Sequence, residues 1–146
     1  MVYISSTSVY AESTGGWVDE TSPVALEDAR SMAMVEAEKV VQGSGGSVLR
    51  CAGIYGPNRD LRAGSEGPER WLNVVQVEDA ARAVGLVLGR KSGVYNICEN
   101  EPLRRGTPDG RWPVGRKERR NKRVRNAKLR DLGWRPLWKA GCLDSV

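Results

Sequence analysis

The side chains able to polarise a substrate or exchange a proton are few in this chain, and they are scattered. Ser6 follows an apolar run, VYIS at 2–5, and stands three residues before the Val9-Tyr10 pair. A serine at a strand end commonly bonds to loop backbone. There is no histidine, which removes imidazole base chemistry and most zinc sites. The three cysteines lack C-x-x-C spacing, and Cys51 and Cys98 fall in apolar runs where a thiol acts as a small apolar group. That usage suggests a reducing compartment. The glycine cluster GSGG at 43–46 follows a helical pattern and precedes an apolar run. A turn that cradles phosphates needs the reverse order, strand then helix, so the cluster reads as a helix stop.

These residues are positioned by elements that alternate along the chain. Val2–Ser5 is rich in β-branched and aromatic residues and suits a buried strand. Residues 14–23, TGGWVDETSP, are dense in turn formers and read as loop. From Asp28 to Gln42, Ala29, Ala33, Ala37, Val40 and Val41 recur at helical spacing, which leaves Glu38 and Lys39 on the outside and ends the helix at Gly43. Val48–Ile54 fits a second buried strand, stopped by Gly56-Pro57. Strand, helix and strand make a parallel βαβ unit with a right-handed crossover. Residues 58–72 read as an extended excursion. Val77, Ala80, Ala81, Val84, Val87 and Leu88 form a clear helical stripe, with Glu78 and Asp79 at its positive start and Arg90 and Lys91 near its negative end. Gly93 is expected to close that helix. Residues 94–98, VYNIC, predict a third strand, and 126–132 a short helix ending at Gly133.

Composition bounds the whole. With 146 residues and 17 glycines, the chain is the size of one ordinary domain with a lean core. No apolar stretch approaches the roughly 20 residues of a membrane helix, and the first residues do not resemble a secretory leader, so the cytoplasm is the expected location. Charge is uneven. Arg104–Arg135 holds thirteen Lys and Arg against Asp109, Glu118 and Asp131, a local +10 within a net charge of +5. Its centre, RKERRNKRVRNAKLR at 116–130, could neutralise several phosphates without sequence preference. Trp112 and Trp134 flank that run rather than interleave with it. A solvated or self-repelling basic face is the competing account.

The order of short motifs carries a family likeness: SSTSVYAE, DETSP, AEKVV, LRCAGIYGPNR, NVVQVEDAARAV and GVYNICENEP, with RNAKLRDLGWRP later. In that order they resemble the extended short-chain dehydrogenase/reductase family of NAD(P)-dependent epimerases and dehydratases. The resemblance implies an α/β fold, here the C-terminal half of a Rossmann-like parallel sheet over residues 1–102, with a small basic substrate-lobe remnant over 103–146. It also implies NAD or NADP as cofactor, with Ser5, Gly53 and Tyr55 beside it, and Arg59 and Asn73 beside the substrate. Ser6 stands where the family keeps its substrate-polarising hydroxyl. The family's Tyr and Lys, four apart on the crossover helix, correspond to Arg30 and Met34. Neither can replace them, because a guanidinium does not surrender its proton at neutral pH and a thioether carries no charge. Gln76 stands where many relatives carry His, and Asp79 matches a family acidic residue.

The expected function is therefore a truncated or degenerate NAD(P)-dependent epimerase/dehydratase-like protein without independent oxidoreductase activity, its cofactor not bound by this chain alone. Two alternatives stand beside it: a basic module that binds nucleic acid or an acidic partner, and one half of a split enzyme. The strand at Val2 is expected to leave an open parallel edge, which invites self-association or pairing with a missing N-terminal half.

Overall fold

A computed structural model describes residues 1–59, 69–90, 92–105 and 121–140. Its centre is a parallel sheet of β1 (Val2–Ser6), β3 (Ser47–Cys51) and β7 (Val94–Ile97), in the order β1-β3-β7. Between β1 and β3 lie a single 3-10 turn (Thr7–Val9), the two-residue β2 (Trp17–Val18) and α1 (Ala29–Gly43). β3 is buried along its whole length, as an apolar strand paired on both sides should be.

The stretch read as one strand from Val48 to Ile54 is two. The chain leaves the main sheet at Ala52, and β4 (Gly53–Tyr55) pairs in parallel with β6 (Val74–Gln76), after the short β5 (Arg70–Leu72). At the change of sheet Gly53 N donates to the Asn73 carbonyl at 3.1 Å. β6 runs directly into α2 (Val77–Val87). The loop expected over 14–23 contains β2, which pairs with β9 (Arg123–Val124), and β8 (Leu103–Arg105) pairs antiparallel with β5. The excursion over 58–72 thus ends in β5; residues 60–68 lie outside the described residues.

The helices stop for local reasons. At the start of α1 the Asp28 carboxylate accepts from Ser31 N at 2.8 Å, and after its end Gly45 takes the left-handed backbone (φ +76°) that turns the chain into β3. Gly93 does not close α2, contrary to the expectation from the sequence. Gly89 does so with φ +74°, leaving Arg90 beyond the helix, and Gly93 instead packs against the Tyr95 ring. The short α3 (Ala127–Asp131) follows β9.

The main core joins Leu49, Ile97, Val75, Ala83 and Val87 to Leu129 and Trp134. The segment after α3 is pinned to the start of α2. Trp134 Nε1 donates to the Asp79 carbonyl, and Leu137 N and Trp138 N donate to Asp79 Oδ2 at 2.9 and 3.0 Å. Asp79 is fully buried, so its place at a helix start is the smaller part of its work.

Candidate functional site

Parallel strands deliver side chains to a crevice at their C-terminal ends, where the chain leaves the sheet. A cleft of about 890 Å³ opens there, with Ser5 and Ser6 from the end of β1, Gly53 from β4 and Arg30 from the first turn of α1 on its walls. Arg59 and Asn73 also line it. The structure thus brings six of the eight residues singled out from the sequence to one cavity. Met34 and Tyr55 are the two outside. Met34 is half-buried on α1, and Tyr55 is buried with its hydroxyl donating to Glu99 Oε1 at 2.5 Å, while Ala140 N donates to Glu99 Oε2.

Several of these groups are already engaged. Ser6 Oγ accepts from Ser8 N at 3.1 Å, the local turn bond that a strand-end serine commonly makes. The Asn73 amide joins two chain segments, donating to the Lys122 carbonyl and accepting from Val124 N at 2.8 Å. Gln76 Oε1 accepts from Glu78 N and caps α2. Cys51 lines the cleft, but burial pushes its thiol up to about 11, so it stays protonated at neutral pH and is a poor nucleophile.

Behind the cleft lies a charged network that periodicity did not disclose. Glu38, expected on the outer face of α1, is 1% exposed. Its carboxylate accepts from Ser5 Oγ at 2.5 Å and from Arg50 Nη2 at 2.6 Å, with Arg50 Nε at 3.1 Å. Arg50 lies over the Tyr10 ring, 4.9 Å from its centroid, and Tyr10 donates to Asn96 Oδ1 at 2.7 Å. Arg50 Nη1 has no hydrogen-bond partner among the described residues. Burial raises the Tyr10 phenol to about 12, so it is no proton donor near neutrality. The available signal was an acid and a base twelve residues apart, one on the crossover helix and one inside an otherwise apolar strand. A charge in such a strand needs a partner.

On the other side, arginines and tryptophans alternate. Arg104 and Arg123 lie 4.9 and 5.1 Å from the Trp71 ring centroid, and Arg123 and Arg125 lie 4.9 and 5.0 Å from that of Trp17. The tryptophans that interleave with the basic segment come from β2 and β5, distant in sequence. Trp134 is instead buried in the core, and Trp112 and Arg119 and Arg120 of the basic run lie outside the described residues.

No protein-family model matches the sequence, and no curated protein matches it. Solved structures do. A functionally unknown conserved protein from Silicibacter pomeroyi matches at 28% identity with a TM-score of 0.74, over 94% of this chain and 60% of that one. A structure described as an NAD-dependent epimerase/dehydratase from Methylobacillus flagellatus matches at 24% identity and TM-score 0.73, over 94% and 58%. This chain has the fold of the NAD-dependent epimerases and dehydratases. The dTDP-glucose 4,6-dehydratase from Bacillus anthracis, solved in complex with NAD, superposes with a TM-score of 0.75 at 19% identity, over 94% of this chain and 57% of that one. The chain therefore spans about three fifths of the length of these relatives. The sequence resemblance is borne out at the level of the fold.

That fold implies a dinucleotide, and the described residues do not fit one. A pyrophosphate needs open backbone N–H groups at a helix N-terminus reached from a glycine turn. At α1 that place is taken by the Asp28 carboxylate, and the first turn of α2 carries Glu78 and Asp79. The glycines with left-handed backbone, Gly15, Gly45, Gly89 and Gly133, either follow helices or sit in a loop. None among the described residues joins a strand to a helix.

Proposed function

We propose that this chain supplies the substrate-side cleft of an NAD(P)-dependent epimerase/dehydratase-like fold and has no oxidoreductase activity by itself. One observation carries the reading. The first turn of α1 presents Arg30 to the cleft that Ser5 and Ser6 line, while the side chain one helical turn on, Met34, stays outside it. A phenol in the first position and an ammonium in the second could pass a proton to a bound carbinol, because the ammonium favours the phenolate. Arginine and methionine cannot. The cleft keeps what binding requires: hydroxyls, an exposed arginine and permissive glycine backbone. The relatives named for dTDP-glucose, and the MoeE5 structures holding UDP-glucose or UDP-glucuronic acid with NAD, support a sugar nucleotide as the class of ligand.

The basic-module alternative has the arginine–tryptophan stack in its favour. That stack, however, places guanidinium groups against the rings a nucleobase would need for stacking. The reading of a split enzyme differs from ours only in where the nucleotide-binding part comes from.

The test is turnover. Neither the natural chain nor the double variant Arg30→Tyr with Met34→Lys should oxidise or reduce a sugar nucleotide with NAD or NADP, since the proton-transfer pair alone cannot hold the hydride carrier. Turnover in either protein contradicts the proposal.

A further inference from the structure

The cleft is lopsided in charge. Arg30, Arg59, Arg70 and Lys122 line it against Glu27 and Asp28. Most of these groups are already engaged: the Asp28 carboxylate accepts from Ser31 N at 2.8 Å, and Glu27, Arg70 and Lys122 have partners of their own. Arg30 and Arg59 differ. Both are exposed, and among the described residues neither guanidinium makes a hydrogen bond or an ion pair. Ser5, on the same wall, gives its hydroxyl proton to Glu38 at 2.5 Å, so it is no donor toward the cleft. Positive charge that nothing in the chain answers thus lies with two arginines.

Both arginines stand on rigid supports. Arg30 is the second residue of α1, whose start the Asp28 cap fixes. Because that cap occupies Ser31 N, the anion-attracting groups here are side chains and not the helix end. Arg59 closes a tight turn after β4, in which Gly56 N donates to Arg59 O at 3.0 Å and Arg59 N to Gly56 O at 2.9 Å, with Pro57 holding its own φ between them. A Cβ on Gly56 would lie 2.7 Å from Val77 Cγ1, so the start of α2 backs the turn closely. A guanidinium held this way is a planar fork that matches the two oxygens of a carboxylate or phosphate, and a concave wall of one sign concentrates ions of the other.

We propose that Arg30 and Arg59 form an oxyanion site in this cleft, where the Arg30 fork holds a carboxylate or phosphate group of the ligand and Arg59 supplies a second positive charge. The inference rests on the reading of the cleft as a ligand site and adds what selects the ligand: an anionic group seated beside the ends of β1 and β4. A neutral sugar lacks the group that the two arginines can answer. Arg30 is then a specificity-determining residue, and no proton transfer is asked of it.

The test uses three probes that share one body: glucose, glucose 1-phosphate and glucuronate, titrated into the natural chain and into Arg30→Gln, Arg59→Gln and Arg30→Lys, with UDP-glucose alongside. At least one of the two anions should bind about tenfold or more tighter than glucose, and which one does so tells phosphate from carboxylate as the source. Gln at position 30 should weaken that anion by about 10- to 100-fold and Gln at position 59 by less, while Arg30→Lys, which keeps the charge without the fork, should fall between. An anion bound no better than glucose, or bound as well by either Gln variant, overturns the proposal. UDP-glucose bound equally by the natural chain and by Arg30→Gln overturns it too, while leaving the cleft as a ligand site. Anions bound through Arg30 without any binding of UDP-glucose uphold the oxyanion site and remove the sugar nucleotide as its ligand.

Discussion

Two arginines in this protein are held against aromatic rings at nearly the same distance, and they sit in opposite environments. Arg50 is buried between α1 and the main sheet, where Glu38 meets it with a carboxylate and Tyr10 with a ring face. Arg123 is half-buried between Trp17 and Trp71, and its Nε donates to the Gly15 carbonyl at 2.9 Å. Removing a guanidinium from water costs several kcal/mol, so the buried one is kept only with an opposite charge, whereas the half-buried one keeps water at its edge and needs only a ring and a carbonyl. The first arrangement is expensive to break on one side. The second loosens gradually.

The largest effect should come from breaking the buried pair unevenly. Glu38→Ala leaves the Arg50 charge without its carboxylate and should lower stability by about 3–5 kcal/mol. Replacing both Glu38 and Arg50 with leucine should recover most of that loss, and chemical denaturation of the single and double variants measures both. If the double variant is as unstable as the single, packing and not charge is what Glu38 supplies.

Asp79 falls between the extremes. It is buried, but its partner Arg82, 2.6 Å away, is 43% exposed, and its other partners are the backbone N–H groups of residues 137 and 138. Asp79→Ala should cost roughly 2–4 kcal/mol and raise hydrogen exchange selectively over 134–140. Uniform exchange across the chain would contradict its role as a local tie. In the half-buried stack, Arg123→Gln should cost about 1–2 kcal/mol, measured the same way. At the bottom of the scale, breaking the exposed Lys39–Glu36 pair should change stability by no more than about 0.5 kcal/mol.

A pH titration sharpens the contrast. Burial holds the Tyr10 phenol at about 12 in the folded chain, against an ordinary 10.0. Its folded value is the higher one, so its contribution to stability is complete below pH 10 and is lost as pH rises toward about 12. Tyr10→Phe should flatten that alkaline limb. An unchanged limb would place its cause elsewhere.

Periodicity disclosed the parallel frame, because Val2–Ser5 and VYNIC are apolar runs and the stripe through Val77 and Leu88 has a helical period. It could not disclose the break at Ala52, since an apolar run that changes sheets looks like one that does not. It also misplaced Glu38, because helical spacing counts apolar residues and a buried carboxylate looks solvated until its arginine is known. The motif order put Ser5, Ser6, Arg30, Gly53, Arg59 and Asn73 on the list that the fold gathers into one cleft. Tyr55 escaped for the same reason as Glu38: its hydroxyl is satisfied by Glu99, forty-four residues away. The tryptophans of the basic face were sought beside the arginines in sequence, and β-pairing brought them from β2 and β5.

The central proposal is that this chain keeps the fold and the cleft while its described residues offer no seat for a dinucleotide. Titration of NADH and NADPH by fluorescence or calorimetry tests it directly. The account predicts no saturable binding up to roughly millimolar concentration, and a dissociation constant in the micromolar range would contradict it.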